Sequence, residues 1–285
     1  MEKLQIIVDS ACDISEEKLK KHNIKLLPFR IIVDQDEFLD GININKDKLF
    51  KFLEEKRYIT TAQVRALDFE KEFKHCAENN LKCIYLAFSS KMSGAYQTAR
   101  LVAENVKKRY PDFNYEIIDT KSGSTAIELL VEKTIQLQEE KLPFEQIVSK
   151  VKGLVENIEH IFTLETLERL KTGGRISKTT AFVGEFLNIK PILEVKEGKI
   201  QLFKKVRGYS KAYENILDIM EKRSTNLKDQ VIGISYSGDR DKALKLRDMI
   251  EERFGTKKFL INMISNVLIV HLGRSGVGVY FENNN

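Results

Sequence analysis

The sequence predicts an α/β protein of two domains, the first built on a mostly parallel sheet flanked by helices and the second on a mixed sheet with helices. Three observations carry that expectation. Short apolar runs at residues 4–8, 83–88 and 115–118 alternate with helix-like stretches, as strands buried on both faces do. Past about residue 160 the alternation changes, and residues 192–196 and 199–205 flank Glu197-Gly198 as a hairpin would. The length, 285 residues with 42% apolar and 31% charged, suits one large or two medium domains with a sizeable core. We therefore expect domains at 1–160 and 161–285.

Residues 4–8 end in Asp9-Ser10, where a buried strand emerges into a loop. Asp13 with Glu16 three residues on reads as a helix start before Leu19. Residues 24–33 are β-rich but carry Pro28, which predicts a bend or an edge. Helices are expected at 47–55 and at 67–77, where Phe69, Phe73 and Ala77 recur every four residues. The next ones fall at 93–108, 122–139 and 144–155. In the second domain, helices are expected at 165–171, 179–187, 209–222 and 241–254. Strands are expected at 231–236, 258–263, 267–271 and 278–281.

Composition excludes several functions. The net charge of +5, from 47 basic and 42 acidic residues, is spread along the chain. No basic stripe is interleaved with aromatics, so nucleic acid is not an expected partner. Cys12, Cys76 and Cys83 are odd in number and form no Cys-x-x-Cys pair, which argues against a disulfide framework or a zinc site. No leader, membrane-spanning run or nucleotide-binding Walker loop is visible, and a cytoplasmic setting is expected.

Four segments at predicted strand ends carry small hydroxyl residues or tight turns: Asp9-Ser10, Thr60-Thr61-Ala62-Gln63, Ser89 to Gly94, and Asp119-Thr120. In open α/β sheets ligands bind beyond the carboxyl ends of the strands, where such loops collect. Ser93-Gly94 at a helix start fits either an anion cradle or an ordinary cap. Gly173-Gly174-Arg175 fits a fixed turn delivering a guanidinium beside an apolar segment, or a glycine helix stop. His271, at the end of an apolar run and before Gly273, is a candidate carboxylate or phosphate partner or a structural ring. Ser89 and Ser93 lack the Gly-x-Ser-x-Gly elbow of a serine hydrolase.

In order and spacing these segments resemble the DegV family, fatty-acid-binding proteins that serve bacterial fatty acid kinase. The remaining matching segments are Tyr96-Gln97, Gly173 to Ser177, Ile189-Lys190-Pro191-Ile192-Leu193, Lys205-Val206-Arg207 and His271-Leu272-Gly273. The chain departs from the family pattern at Thr61-Ala62-Gln63-Val64-Arg65, where a hydroxyl and a proline are lost, and at Arg274, where the pattern is neutral. The resemblance implies a two-domain carrier with a long-chain fatty acid buried between the domains and no cofactor, metal or catalytic residue of its own. It implies that Thr61, Ser93, Gly94 and His271 hold the carboxylate, and that Arg175 and Arg207 lie on the head-group rim or contact the kinase. Phe162, Phe182, Phe186 and Ile192 are then candidates for the acyl tunnel. A separate ATP-dependent kinase would form the acyl-phosphate for phospholipid synthesis, with transient contact at a membrane surface. The competing readings are a serine-dependent lipid or acyl-ester hydrolase and a lipid carrier that works without a kinase.

Overall fold

The structure, a computed structural model, describes residues 3–177 and 188–283. It divides into two compact units. The first comprises the chain up to Gly123, Ile127–Glu156 and Ser265–Val267, and the second Ser124–Ala126, Asn157–Ile264 and the chain from Leu268.

In the first unit, β1 (Leu4–Asp9) leads through α1 (Glu16–Lys21) to β2 (Lys25–Leu27). The chain then passes Pro28-Phe29 into β3 (Arg30–Val33), which belongs to another sheet, so the β-rich run around Pro28 is two strands rather than one bent strand. The strands β4 (Asp36–Leu39) and β5 (Ile59–Ala62) flank β3 in a small antiparallel sheet, with α2 (Lys46–Glu54) between them in the chain. After α3 (Ala66–Glu78) come β6 (Lys82–Ala87), α4 (Ala95–Arg109) and β7 (Tyr115–Asp119). The main sheet has the order β2-β1-β6-β7 and is wholly parallel. Its central strands are buried almost throughout, which is why they read as continuous apolar runs. The helices α5 (Thr125–Glu139) and α6 (Phe144–Val155) follow. The start of α1 differs from the expected one. Ser15 is the cap, accepting from the Lys18 amide at 3.3 Å, and Asp13 sits in a left-handed turn with its carboxylate engaged by the Ser265 amide at 2.7 Å.

The second unit is built on a six-stranded sheet. Its elements in chain order are β8 (Ile158–Thr163), α7 (Glu168–Thr172), β9 (Ile189–Lys196), β10 (Lys199–Arg207), α8 (Gly208–Arg223), β11 (Val231–Tyr236), α9 (Arg240–Phe254), β12 (Lys258–Met263), α10 (Asn266–Leu272) and β13 (Val277–Glu282). The order β10-β9-β8-β13-β11-β12 contains one parallel pair, β11 with β12. The hairpin at Glu197-Gly198 is present, and both residues take positive φ. Alternation along the strands sends Ile161, Ile192 and Ile232 into a core shared with α8 and α9. Phe162, Leu164 and Leu193 join Leu167, Leu170 and Ile176 in a separate cluster on the other face.

The fold class is thus the expected one, a parallel and a mixed sheet with helices. One element changes type: residues 267–271, expected as a strand, lie within α10. Residues 267–270 are all buried, so the run shows no helical period to read. Its ends decide the matter. The Val267 amide donates to Asp40 at 3.1 Å, and Gly273, at φ +75°, closes the helix by donating to Ile269 O at 2.8 Å. The helix expected at 179–187 lies outside the described residues, as do Phe182 and Phe186.

Candidate functional site

At the carboxyl ends of the parallel strands, much of the hydroxyl and carboxylate chemistry is spent internally. Asp9 is fully buried and accepts from Tyr85 Oη at 2.7 Å, the Phe88 amide at 2.8 Å and the Ala11 amide at 3.2 Å. Burial outweighs these hydrogen bonds and raises its pKa to about 6. Ser10 donates to Asp40 at 3.0 Å and accepts from the Phe29 amide at 3.0 Å. Asp40, also raised by burial, further takes the Val267 amide, while Asn266 donates to Ile44 O at 3.0 Å. Sequence reasoning did not find Tyr85, Asp40 or Asn266. They sit in unrelated parts of the chain, and no local spacing links them.

The loop before α4 is different. Ser90 is tied to Asp119 through both its amide, at 3.0 Å, and its hydroxyl. Ser89 and Ser93 each turn the hydroxyl toward an amide two residues on, Lys91 and Ala95, at 3.2 Å. Gly94 caps α4 with no side-chain bond to the helix, and the first turn of this fifteen-residue helix holds no acid. Its amide dipoles therefore face an end without a built-in counter-charge. Gly94 is required by space rather than by φ: a Cβ there would stand 2.3 Å from Gln63 Oε1. Gln63 in turn donates to Thr98 Oγ1 at 2.7 Å, which joins the end of β5 to α4. Thr61 lies in β5, opposite Ile31, and is partly exposed. The segment expected as a loop is therefore strand as far as Ala62, because pairing with β3 satisfies its backbone.

In the second unit, the Gly173-Gly174-Arg175 turn closes α7 and lies against His271. A Cβ on Gly173 would stand 2.3 Å from His271 Nδ1 and 3.1 Å from Arg169 O, so only glycine lets the ring approach. Gly174 takes φ +71° in open space. The Arg175 amide returns to Leu170 O at 3.0 Å, and its guanidinium donates to Gly173 O. That guanidinium is half-buried, and burial lowers its pKa. His271 is largely buried, and its pKa is pushed down to about 4, first by burial and then by the charge of Arg175. At neutral pH the ring is uncharged, with one nitrogen donating and the other accepting. Leu170, Ile176 and Phe162 belong to the adjoining apolar cluster, against which Leu272 packs.

The structure therefore brings Gly173, Arg175 and His271 together, and sets Gly94 beside the end of the strand that carries Thr61. It separates Phe162 from Ile192. These lie on opposite faces of one sheet, Ile192 fully buried beneath the α8 and α9 side, so a single apolar surface does not hold both. Arg207 is exposed at the end of β10, where α8 begins. Among the described residues no cluster of His, Cys, Asp and Glu could hold a metal ion, and no helix is long and apolar enough to cross a membrane.

The fold is that of a parallel-sheet α/β unit and a mixed-sheet α/β unit, with a helix start that carries no acid in one and a neutral imidazole beside an apolar cluster in the other. The chain belongs to the DegV family. The model of that family of uncharacterised proteins matches residues 3–284. A DegV domain-containing protein of Clostridium perfringens is 32% identical over 284 residues, covering 99% of this chain and 98% of that one. Among solved structures, a DegV family protein from Thermus thermophilus described for its fatty acid binding superposes with a TM-score of 0.90 at 26% identity, covering 99% of each chain. A stearic acid-binding protein from Eubacterium ventriosum gives 0.89 at 26% identity, covering 99% of this chain and 98% of that one.

Proposed function

We propose that this chain binds one long-chain fatty acid and presents its carboxyl group to a separate ATP-dependent kinase, which forms the acyl-phosphate. It acts as the substrate carrier and performs no phosphoryl transfer itself. The observation that carries this reading is the His271 ring, neutral and packed on Gly173 beside Arg175, at the edge of an apolar cluster. A neutral imidazole donates a hydrogen bond to a carboxylate without locking it into a buried ion pair, which leaves the oxygen able to react. The similar Thermus and Eubacterium proteins, described as binding fatty acids, support the ligand class.

In this reading Thr61, Ser93 and the Gly94 amide are carboxylate-binding groups of the first unit, and His271 is one of the second. Phe162 and its cluster cover acyl methylenes. Burying a chain of about eighteen carbons at ~0.8 kcal/mol per methylene yields on the order of 10 kcal/mol, enough to draw a fatty acid from a bilayer. Arg207, exposed at the start of α8, is the cation available to a docking kinase and to the phosphate it transfers.

Mass spectrometry of an organic extract of the purified protein should show a fatty acid in near one-to-one amount. Adding a bacterial fatty acid kinase and ATP should then convert that acid to acyl-phosphate. Absence of any extracted acid sinks the binding reading. A bound acid that no kinase phosphorylates sinks the kinase role and leaves a lipid carrier. Turnover of an acyl ester, with an adduct on Ser89 or Ser93, replaces both with a hydrolase.

A further inference from the structure

The first unit carries a second feature suited to an amphiphile, at the opposite end of its parallel sheet from the loops at Asp9, Ser89 and Asp119. A cavity of about 460 Å³ opens where β1 and β6 begin and where α5 hands over to α6. It lies roughly 17 Å along β6 from the Ala87 end, at about 3.3 Å per residue. The chain reverses direction beside the cavity. Lys141 takes a left-handed φ of +61°, the Leu142 amide folds back to Leu137 O at 3.2 Å, and Pro143 begins α6. Leu142, Phe144 and Ile147, at and after this reversal, form the apolar wall of the cavity.

Three lysines, Lys3, Lys82 and Lys141, line the same cavity, and no acidic residue does. The amide of Lys82 donates to Lys3 O at 2.9 Å, so the first two are fixed side by side at the sheet end. The Lys82 side chain is mostly buried, with its ammonium 5.3 Å from the Phe144 ring centre and 3.5 Å from Glu145. Glu145 itself is 71% exposed, so the pair is a loose one that a better-placed anion can displace. Ammonium groups around apolar walls match a molecule with one anionic head and one alkyl chain.

We infer that this cavity is a peripheral site for a single-chain anionic amphiphile free in solution, its phosphate or carboxylate set among Lys3, Lys82 and Lys141 and its first methylenes on Leu142, Phe144 and Ile147. The inference does not depend on the fatty-acid reading above. The test uses intact protein as purified, with methyl-labelled Ile and Leu, titrated with decyl phosphate below its micelle concentration and, in parallel, with neutral decyl maltoside.

Decyl phosphate should shift the Leu4, Leu142 and Ile147 methyl signals saturably, and decyl maltoside should not. The doubly substituted Lys3→Glu/Lys141→Glu protein, altered only at exposed positions, should bind decyl phosphate at least tenfold more weakly and keep its urea unfolding midpoint. Equal shifts with both detergents, shifts confined to other methyls, or unchanged affinity in the double variant each overturn the inference. So does a protein that ignores decyl phosphate yet binds phosphatidylglycerol vesicles through these lysines, since the occupant is then a membrane surface.

Discussion

In the first unit burial raises the pKa of two carboxylates, Asp9 and Asp40; in the second it lowers that of two imidazoles, His160 and His271. The carboxylates stay in place because amides and hydroxyls from several elements converge on them, and through them the strand ends are knotted together. The imidazoles are kept neutral by burial, which for His160 outweighs a backbone hydrogen bond with Ile158. The lesson concerns function as much as stability. A polar group already saturated by its own chain, such as Asp9, has nothing to offer a ligand. A ring such as His271 is held chiefly by close packing on Gly173 and stays neutral, so it carries no charge of its own into its surroundings.

Acid is the strongest way to break this comparison. His160 and His271 fold with pKa values near 4 against an ordinary 6.5, so below pH 6.5 the unfolded chain takes up protons that the native one refuses. Stability is therefore lost as the pH falls, up to about 3 kcal/mol per ring near pH 4. Asp9 works in the other direction. Its folded value of about 6 lies above 3.8, so the native state is the better proton acceptor and gains stability over that window. At pH 4.5, amide exchange should quicken in β8 and β13 while β1 and β6 hold their protection. Cys12, Cys76 and Cys83, all buried and all in the first unit, should stay slow to react with a thiol reagent. Equal loss of protection in both units would dissolve the distinction.

The next effect is steric and belongs to the second unit. Gly173→Val pushes a side chain into the His271 ring and should cost about 2 kcal/mol in urea unfolding, with most of the co-purifying fatty acid lost. Gly174→Ala, in open space at φ +71°, should cost about 1 kcal/mol and leave the acid bound. If Gly174→Ala strips the lipid as thoroughly, the close contact between Gly173 and His271 is not what matters.

The smallest effect is expected in the first unit. Ser93→Ala removes one hydroxyl bond to the Ala95 amide and should cost at most about 1 kcal/mol, while the extracted fatty acid falls several-fold. Normal lipid content and normal phosphorylation in that variant would remove Ser93 from the carboxylate-binding groups.

Much of this was legible locally. The parallel strands read as apolar runs because both faces are covered, and the Glu197-Gly198 turn follows from its two residues. Gly173 and Gly94 were picked out by their neighbours in sequence, yet the reason each must be glycine is a side chain far along the chain, His271 for one and Gln63 for the other. Residues 24–33 show the limit of local reading. Pro28 announced an interruption, but that it divides two sheets follows from which strands are free to pair on each side.

By itself the sequence determined the α/β class, the change from a parallel to a mixed sheet, the absence of a nucleotide-binding Walker loop and the family to which the chain belongs. These rest on composition, period and ordered motifs, which are properties of contiguous residues. Tertiary structure decided that residues 267–271 coil into a helix, that Asp9 and Asp40 are consumed as internal anchors, and that Phe162 and Ile192 turn to opposite faces of one sheet. It also decided that His271 is uncharged. Each of these depends on partners brought together by folding. Burial, hydrogen bonding and close approach act across space, and sequence spacing carries no record of them.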